Sequence, residues 1–91
     1  MSVNELYALI LNRKQKPSET SYTSSLFKQG NPKIAQKIGE ESAEVIVAAL
    51  AQDRQRLIEE IADLTYHTLV LMAAKDIAPE DITAELEKRK K

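Results

Sequence analysis

The sequence has no cysteine, one histidine and two glycines. Without cysteine there is neither a disulfide frame nor a thiolate metal site. That agrees with a reducing compartment. With a single imidazole, any metal site has to be built almost entirely from oxygen. Two glycines and no alternating β-branched runs leave little room for a sheet. A membrane-spanning run is missing too. The longest apolar stretch, near residues 61–74, is broken by Asp63, Thr65, His67 and Thr68. The opening MSVNELYALI lacks the basic start and apolar run of a signal peptide. The expectation is a soluble, cytoplasmic protein with no membrane partner. Ninety-one residues suffice for one domain, 1–91, with a modest core.

Net charge is −1, which argues against a general nucleic-acid coat. The distribution is more telling. Arg13, Lys14, Lys16, Lys28, Lys33 and Lys37 face one acid, Glu19, over residues 12–37. Glu40, Glu41, Glu44, Asp53, Glu59, Glu60 and Asp63 dominate residues 40–63. A basic segment followed by an acidic one suits a phosphate and a metal in turn; ordinary surface charge gives the same pattern.

Nearly every segment has helical period. Ser2 and Glu5 form a capping box, and Val3, Leu6, Tyr7 and Ile10 supply an apolar face. This helix should stop before Pro17. PSETSYTSSLFKQG then reads as a loop with one short helical turn around Ser24–Lys28. Asn31-Pro32 predicts an N-cap and a first helical position. That helix should run to about Ala51. Asp53 should cap the next, which runs to about Lys75. Pro79 should open a last helix with Glu80 and Asp81 in its first turn and KRKK at its end, matching the dipole. The expected fold is all-α, with four main helices and an antiparallel central pair. The segment from Ile61 to Ala74 is apolar around nearly its whole circumference. A chain this short can hardly surround it, so the bundle is expected to be completed by homodimerisation.

The acids fall in unexpected places. A helix turns about 100° per residue. With Glu41 at zero, Ile34 lies at roughly 20°, Val45 at roughly 40° and Ile38 at roughly 60°. Glu41 is therefore inside the apolar stripe, and Glu44 is on its edge with Lys33 and Lys37. With Glu60 at zero, Leu71, Leu64 and Leu57 fall within roughly 60° of it, and Asp63 takes the edge. A short turn at Gln52-Asp53 lets Glu41 and Glu44 face Glu60 and Asp63. Two carboxylates about 4 Å apart repel by about 4 kcal/mol at an effective dielectric near 20. Either some are protonated or a cation sits between them. All-oxygen ligands suit Mg²⁺ or Mn²⁺. Buried di-iron bundles need Glu-x-x-His motifs, which are missing; His67 stands seven residues after Glu60 and reads as a hydrogen-bonded core or pocket-wall residue.

E-x-x-E followed by E-x-x-D on successive helices resembles the all-α nucleoside triphosphate pyrophosphatases, the MazG-like and dimeric dUTPase-like enzymes. SYTSSL, KIAQKIGEESAE and EIADLTYH together are similar, over nearly the whole chain, to the phosphoribosyl-ATP pyrophosphatase family. The resemblance implies an all-α homodimer that hydrolyses phosphoribosyl-ATP to phosphoribosyl-AMP and pyrophosphate with Mg²⁺, the second step of histidine biosynthesis. It implies that Glu41, Glu44, Glu60 and Asp63 bind the metal, and that Glu40 or Glu41 polarises the attacking water. Lys33, Lys37 and Arg13 would hold phosphate oxygens, with Lys14 a weaker candidate. Ser21, Tyr22 and Thr23 would contact substrate, with helix capping the competing role for Ser21 and Thr23. Two other readings stand beside it. One is a house-cleaning nucleotide pyrophosphatase with the same chemistry. The other is a non-catalytic helical dimerisation module, in which the embedded acids have no purpose.

Overall fold

The computed structural model describes residues 1–90, and no strand occurs among them. Five helices follow one another: α1 (Val3–Gln15), α2 (Tyr22–Gln29), α3 (Asn31–Ala51), α4 (Arg54–Ala74) and α5 (Pro79–Lys88). The all-α expectation is met, with one extension. The turn foreseen around Ser24–Lys28 is a full helix of eight residues. Ser21 caps it, its Oγ accepting from the Ser24 amide at 3.1 Å, and Leu26 anchors it in the core.

The start of α3 corrects another expectation. Asn31 is the first helical residue, not the cap. Gly30 takes the cap, with φ 93°, and closes α2 at the same time. One residue serving both helices needs a backbone conformation that only glycine adopts without strain. At the other end of α3 the expectation is met: the Asp53 carboxylate accepts from the Arg56 amide at 2.9 Å and opens α4. The tight turn between them makes α3 and α4 an antiparallel pair. At the C-terminus only Lys88 of the KRKK run lies in the last turn of α5; Arg89 is its C-cap, Lys90 lies past the helix, and Lys91 lies outside the described residues.

The core occupies one end of this pair. Tyr7 and Ile10 of α1, Leu26 of α2 and Ile34 of α3 close on Leu69, Val70, Met72 and Ala73 of α4. The tip of the α3–α4 hairpin is bare by contrast. Ile46, Val47, Leu50, Ile58 and Ile61 are all exposed there. Between core and tip lie the acids.

α1 locks the end of α4. The Lys14 Nζ donates to the Ala73 carbonyl at 2.7 Å and to Asp76 at 3.1 Å. The Tyr7 hydroxyl donates to the Ile77 carbonyl at 2.6 Å. Lys14 thus supplies the cation that a helix C-terminus favours. Lys14→Met is expected to lower stability by about 1 kcal/mol, seen as a reduced urea midpoint, with KM unchanged. A raised KM would return Lys14 to the substrate.

Candidate metal centre

The helical period puts two acids inside the seam, and the structure keeps them there. Glu41 is 6% exposed and Glu60 4% exposed, each facing the partner helix. Asp63, one turn beyond Glu60, reaches the same point from the rim. Glu41, Glu60 and Asp63 each bring a carboxylate oxygen within 4.8 Å of the others. Glu44 is exposed on the rim and lies against both Glu41 and Glu60, while the acids of α3 sit one turn apart as the spacing requires.

The electrostatics follow from this crowding. Burial first, then the adjoining carboxyls of Glu44 and Asp63, push the Glu41 pKa above its ordinary value, and His67 partly offsets them. For Glu60 the Glu44 side chain is the leading cause of an upward shift, followed by burial, with Arg56 opposing. Two like charges this close favour proton uptake or a cation.

One oxygen of each buried acid decides what fits. The Oε2 atoms of Glu41 and Glu60 are buried with no hydrogen-bond partner among the described residues. An unpaired buried carboxylate oxygen is costly. Three or four carboxylates, with no thiolate and no free imidazole nitrogen, form the donor set of a hard divalent cation.

The remaining predicted residues fall into three groups. Lys37 stands at the mouth, with its ammonium 3.2 Å from Glu40 and 3.7 Å from Glu41. Glu40 points outward. Gln36 and then Lys37 hold its pKa below the ordinary value, helped by Lys33 nearby. Glu40 is therefore an ionised carboxylate beside the acid group and not within it.

Ser21, Tyr22 and Thr23 form the second group. Ser21 caps α2, the competing role weighed for it. The Thr23 hydroxyl pairs with the Tyr66 hydroxyl. The Tyr22 hydroxyl lies 3.1 Å from the Nε2 of His67, and the Nδ1 of that ring bonds the Asp63 carbonyl at 2.8 Å. His67 is hydrogen-bonded core, as read.

Arg13 stands alone. It lines a separate cavity of about 680 Å³ with Pro17, Ser18, Phe27 and Lys28. Its guanidinium bonds Asn12 at 3.0 Å.

Sequence reasoning missed Arg56. Its guanidinium grips Glu59 and Glu60, each at 2.6 Å, and it lines a cavity of about 330 Å³ with Glu44, Val47, Gln52 and Glu60. The signal was present: Arg56 precedes Glu60 by one helical turn, the i,i+4 spacing of an ion pair. Because Arg56 takes Oε1 of Glu60, the oxygen left over is the buried, unpartnered one.

Comparison with known proteins places the chain in a family. The family model for phosphoribosyl-ATP pyrophosphohydrolase matches residues 3–90. A phosphoribosyl-ATP pyrophosphatase of Saccharolobus solfataricus is 53% identical over 98% of this chain and 95% of its own length. The one of Sulfolobus acidocaldarius is 48% identical over 98% of this chain and 94% of its own length. A bacterial relative of that name, from Clostridium botulinum, is 53% identical over 97% of this chain and 80% of its own length. No helix among the described residues is long and apolar enough to cross a membrane. Likeness of this extent, running through every helix that builds the acid seam, means that the chain belongs to the phosphoribosyl-ATP pyrophosphohydrolase family of hydrolases.

Proposed function

We propose that this protein hydrolyses phosphoribosyl-ATP to phosphoribosyl-AMP and pyrophosphate, the second step of histidine biosynthesis, as a cytoplasmic homodimer that requires Mg²⁺ or Mn²⁺. One observation carries the reading: Glu41 and Glu60, each with one buried, unpartnered oxygen, bring their carboxylates together with that of Asp63. Glu41, Glu60, Asp63 and the adjoining Glu44 would hold the cation. When bound, it neutralises the triphosphate and stabilises the charge that develops on the leaving pyrophosphate.

The chain's own groups do the rest. Lys37, at the mouth of the acids, offers its ammonium to phosphate oxygens, and Lys33 adds positive charge nearby. Glu40, kept ionised by Gln36 and Lys37, is the acceptor for the proton of the attacking water. Water adds across the α–β phosphoanhydride: its oxygen bonds phosphorus, the bridging bond breaks, and the pair of electrons leaves on the departing fragment. Arg56 keeps one Glu60 oxygen occupied and the carboxylate fixed in rotation.

Homodimerisation is supported by surface and shape. A compact chain of this mass exposes about 5,300 Å². This chain exposes 6463 Å². The excess is about what one partner contributes to a stable interface. The radius of gyration is 14.2 Å, against about 12 Å for a closed domain of this length.

The test is pyrophosphate release from phosphoribosyl-ATP, with ATP, dATP and dUTP in parallel, with and without EDTA. Turnover of phosphoribosyl-ATP alone, abolished by EDTA and restored by Mg²⁺, is expected. Turnover of an ordinary nucleotide in its place would make the protein a house-cleaning enzyme with the same acids.

A further inference from the structure

Two consecutive residues of α2 are bonded to two consecutive residues of α4. Thr23 pairs with Tyr66, and Tyr22 pairs with His67. The second pair has a defined polarity. The Asp63 carbonyl can only accept, so the His67 Nδ1 facing it at 2.8 Å carries the hydrogen. In the neutral ring Nε2 then holds a lone pair. The Tyr22 hydroxyl, 3.1 Å away, must be the donor. The ring has no freedom to reverse this. His67 is 5% exposed, and Tyr66 packs edge-on against it, with centroids 4.9 Å apart at 82°.

Tyr22 itself is 52% exposed. Through His67 it is joined to Asp63, one of the three converging acids, so it stands beside the acid seam. With its proton spent on His67, the Tyr22 oxygen presents only lone pairs to anything arriving there. A phosphate oxygen finds no donor at Tyr22.

We infer that His67 is a positioning residue that commits Tyr22 as a hydrogen-bond acceptor toward the ligand, so that Tyr22 reads a donor group on a nucleotide, a sugar hydroxyl or a base N–H, and not its phosphates. The nucleotide ligand rests on the function proposed above; the His67–Tyr22 polarity does not.

The only histidine in the chain gives a single set of ring resonances. In the ¹⁵N spectrum of the protein, above the ring's titration, Nδ1 should be protonated and Nε2 pyridine-like. Tyr22→Phe should move the Nε2 resonance and leave Nδ1 in place. A protonated Nε2, or no response to Tyr22→Phe, overturns the inference whatever the substrate is.

Kinetics supply the second arm. Tyr22→Phe should raise KM roughly three- to tenfold, the worth of one neutral hydrogen bond, with little change in kcat. His67→Asn, whose amide reaches only the Nδ1 position, should match it. His67→Gln, whose amide oxygen reaches the Nε2 position, should recover most of the loss. Equal effects of Asn and Gln would make His67 merely structural.

ATP and 2′-deoxy-ATP as competing ligands separate the two sources of the donor. A preference for ATP that vanishes in Tyr22→Phe identifies the 2′-hydroxyl. Equal weakening of both identifies a donor elsewhere on the nucleoside. Unchanged binding of both overturns the inference. Failure of the unaltered protein to turn over phosphoribosyl-ATP would remove the proposed function, with the ¹⁵N result still deciding the role of His67.

Discussion

Glu60→Gln is expected to lower turnover by more than about a hundredfold while raising the melting temperature of the metal-free protein. Changing a group behind a metal ligand already costs about ten- to a hundredfold, and here a proposed ligand itself is neutralised. The opposite sign for stability comes from the crowding. Glu44 beside it, and then burial, hold the Glu60 pKa above its ordinary value. The folded chain therefore binds more protons than the unfolded one. Its stability falls as pH rises from about 4.5, the ordinary carboxyl value, through the raised folded pKa. A neutral amide escapes that loss and still offers Arg56 an oxygen. The advantage of Glu60→Gln over the unaltered protein should thus be small near pH 4, grow across that window, and level off above it. Mg²⁺ should reverse the order by stabilising only the protein that binds it. Thermal melts from pH 4 to pH 8, with EDTA and with Mg²⁺, check each step. A large loss of stability at pH 7 without metal would make Glu60 a structural acid.

The same physics sets what was legible beforehand. Glu41 and Glu60 stood out because a fixed turn per residue converts spacing into direction, and a carboxylate in an apolar stripe contradicts its own solvation. The helix boundaries at Pro17, Asp53 and Pro79 were legible because caps and prolines act locally. α2 was underestimated, since its stability comes from burying Leu26 in the core and from the Thr23 and Tyr22 bonds to α4. No short window contains those partners. Asn31 was misread as a cap because the sequence does not announce that Gly30 ends one helix and begins the next. Arg13 and Tyr22 lie nine residues apart and were both expected to contact the substrate. In the fold, Arg13 lines its own cavity beside Phe27 and Lys28, and Tyr22 turns to His67. Which side of a short helix meets which neighbour is a tertiary matter.

Leu50→Glu is expected to split the proposed dimer and, with it, activity. Leu50 is the most exposed large apolar side chain of the α3–α4 tip, at 84%. In an isolated chain such a residue is free surface, and a glutamate there should change stability by no more than about 0.5 kcal/mol. In a twofold dimer the same position is met twice, once from each copy. Burying even one unpaired carboxylate costs about 4 kcal/mol, a thousandfold in the dissociation constant. The two situations therefore give opposite results for one substitution. With a dimer, light scattering should show the mass halved in Leu50→Glu, and the melting temperature of the unaltered protein should rise with concentration. Activity should fall as well, because Val47, part of the same bare tip, lines the cavity that holds Glu44, Arg56 and Glu60. Water entering that side would weaken every charge interaction in the acid seam. A Leu50→Glu protein with unaltered mass, stability and turnover would mean that the tip is free surface and that the seam works within a single chain.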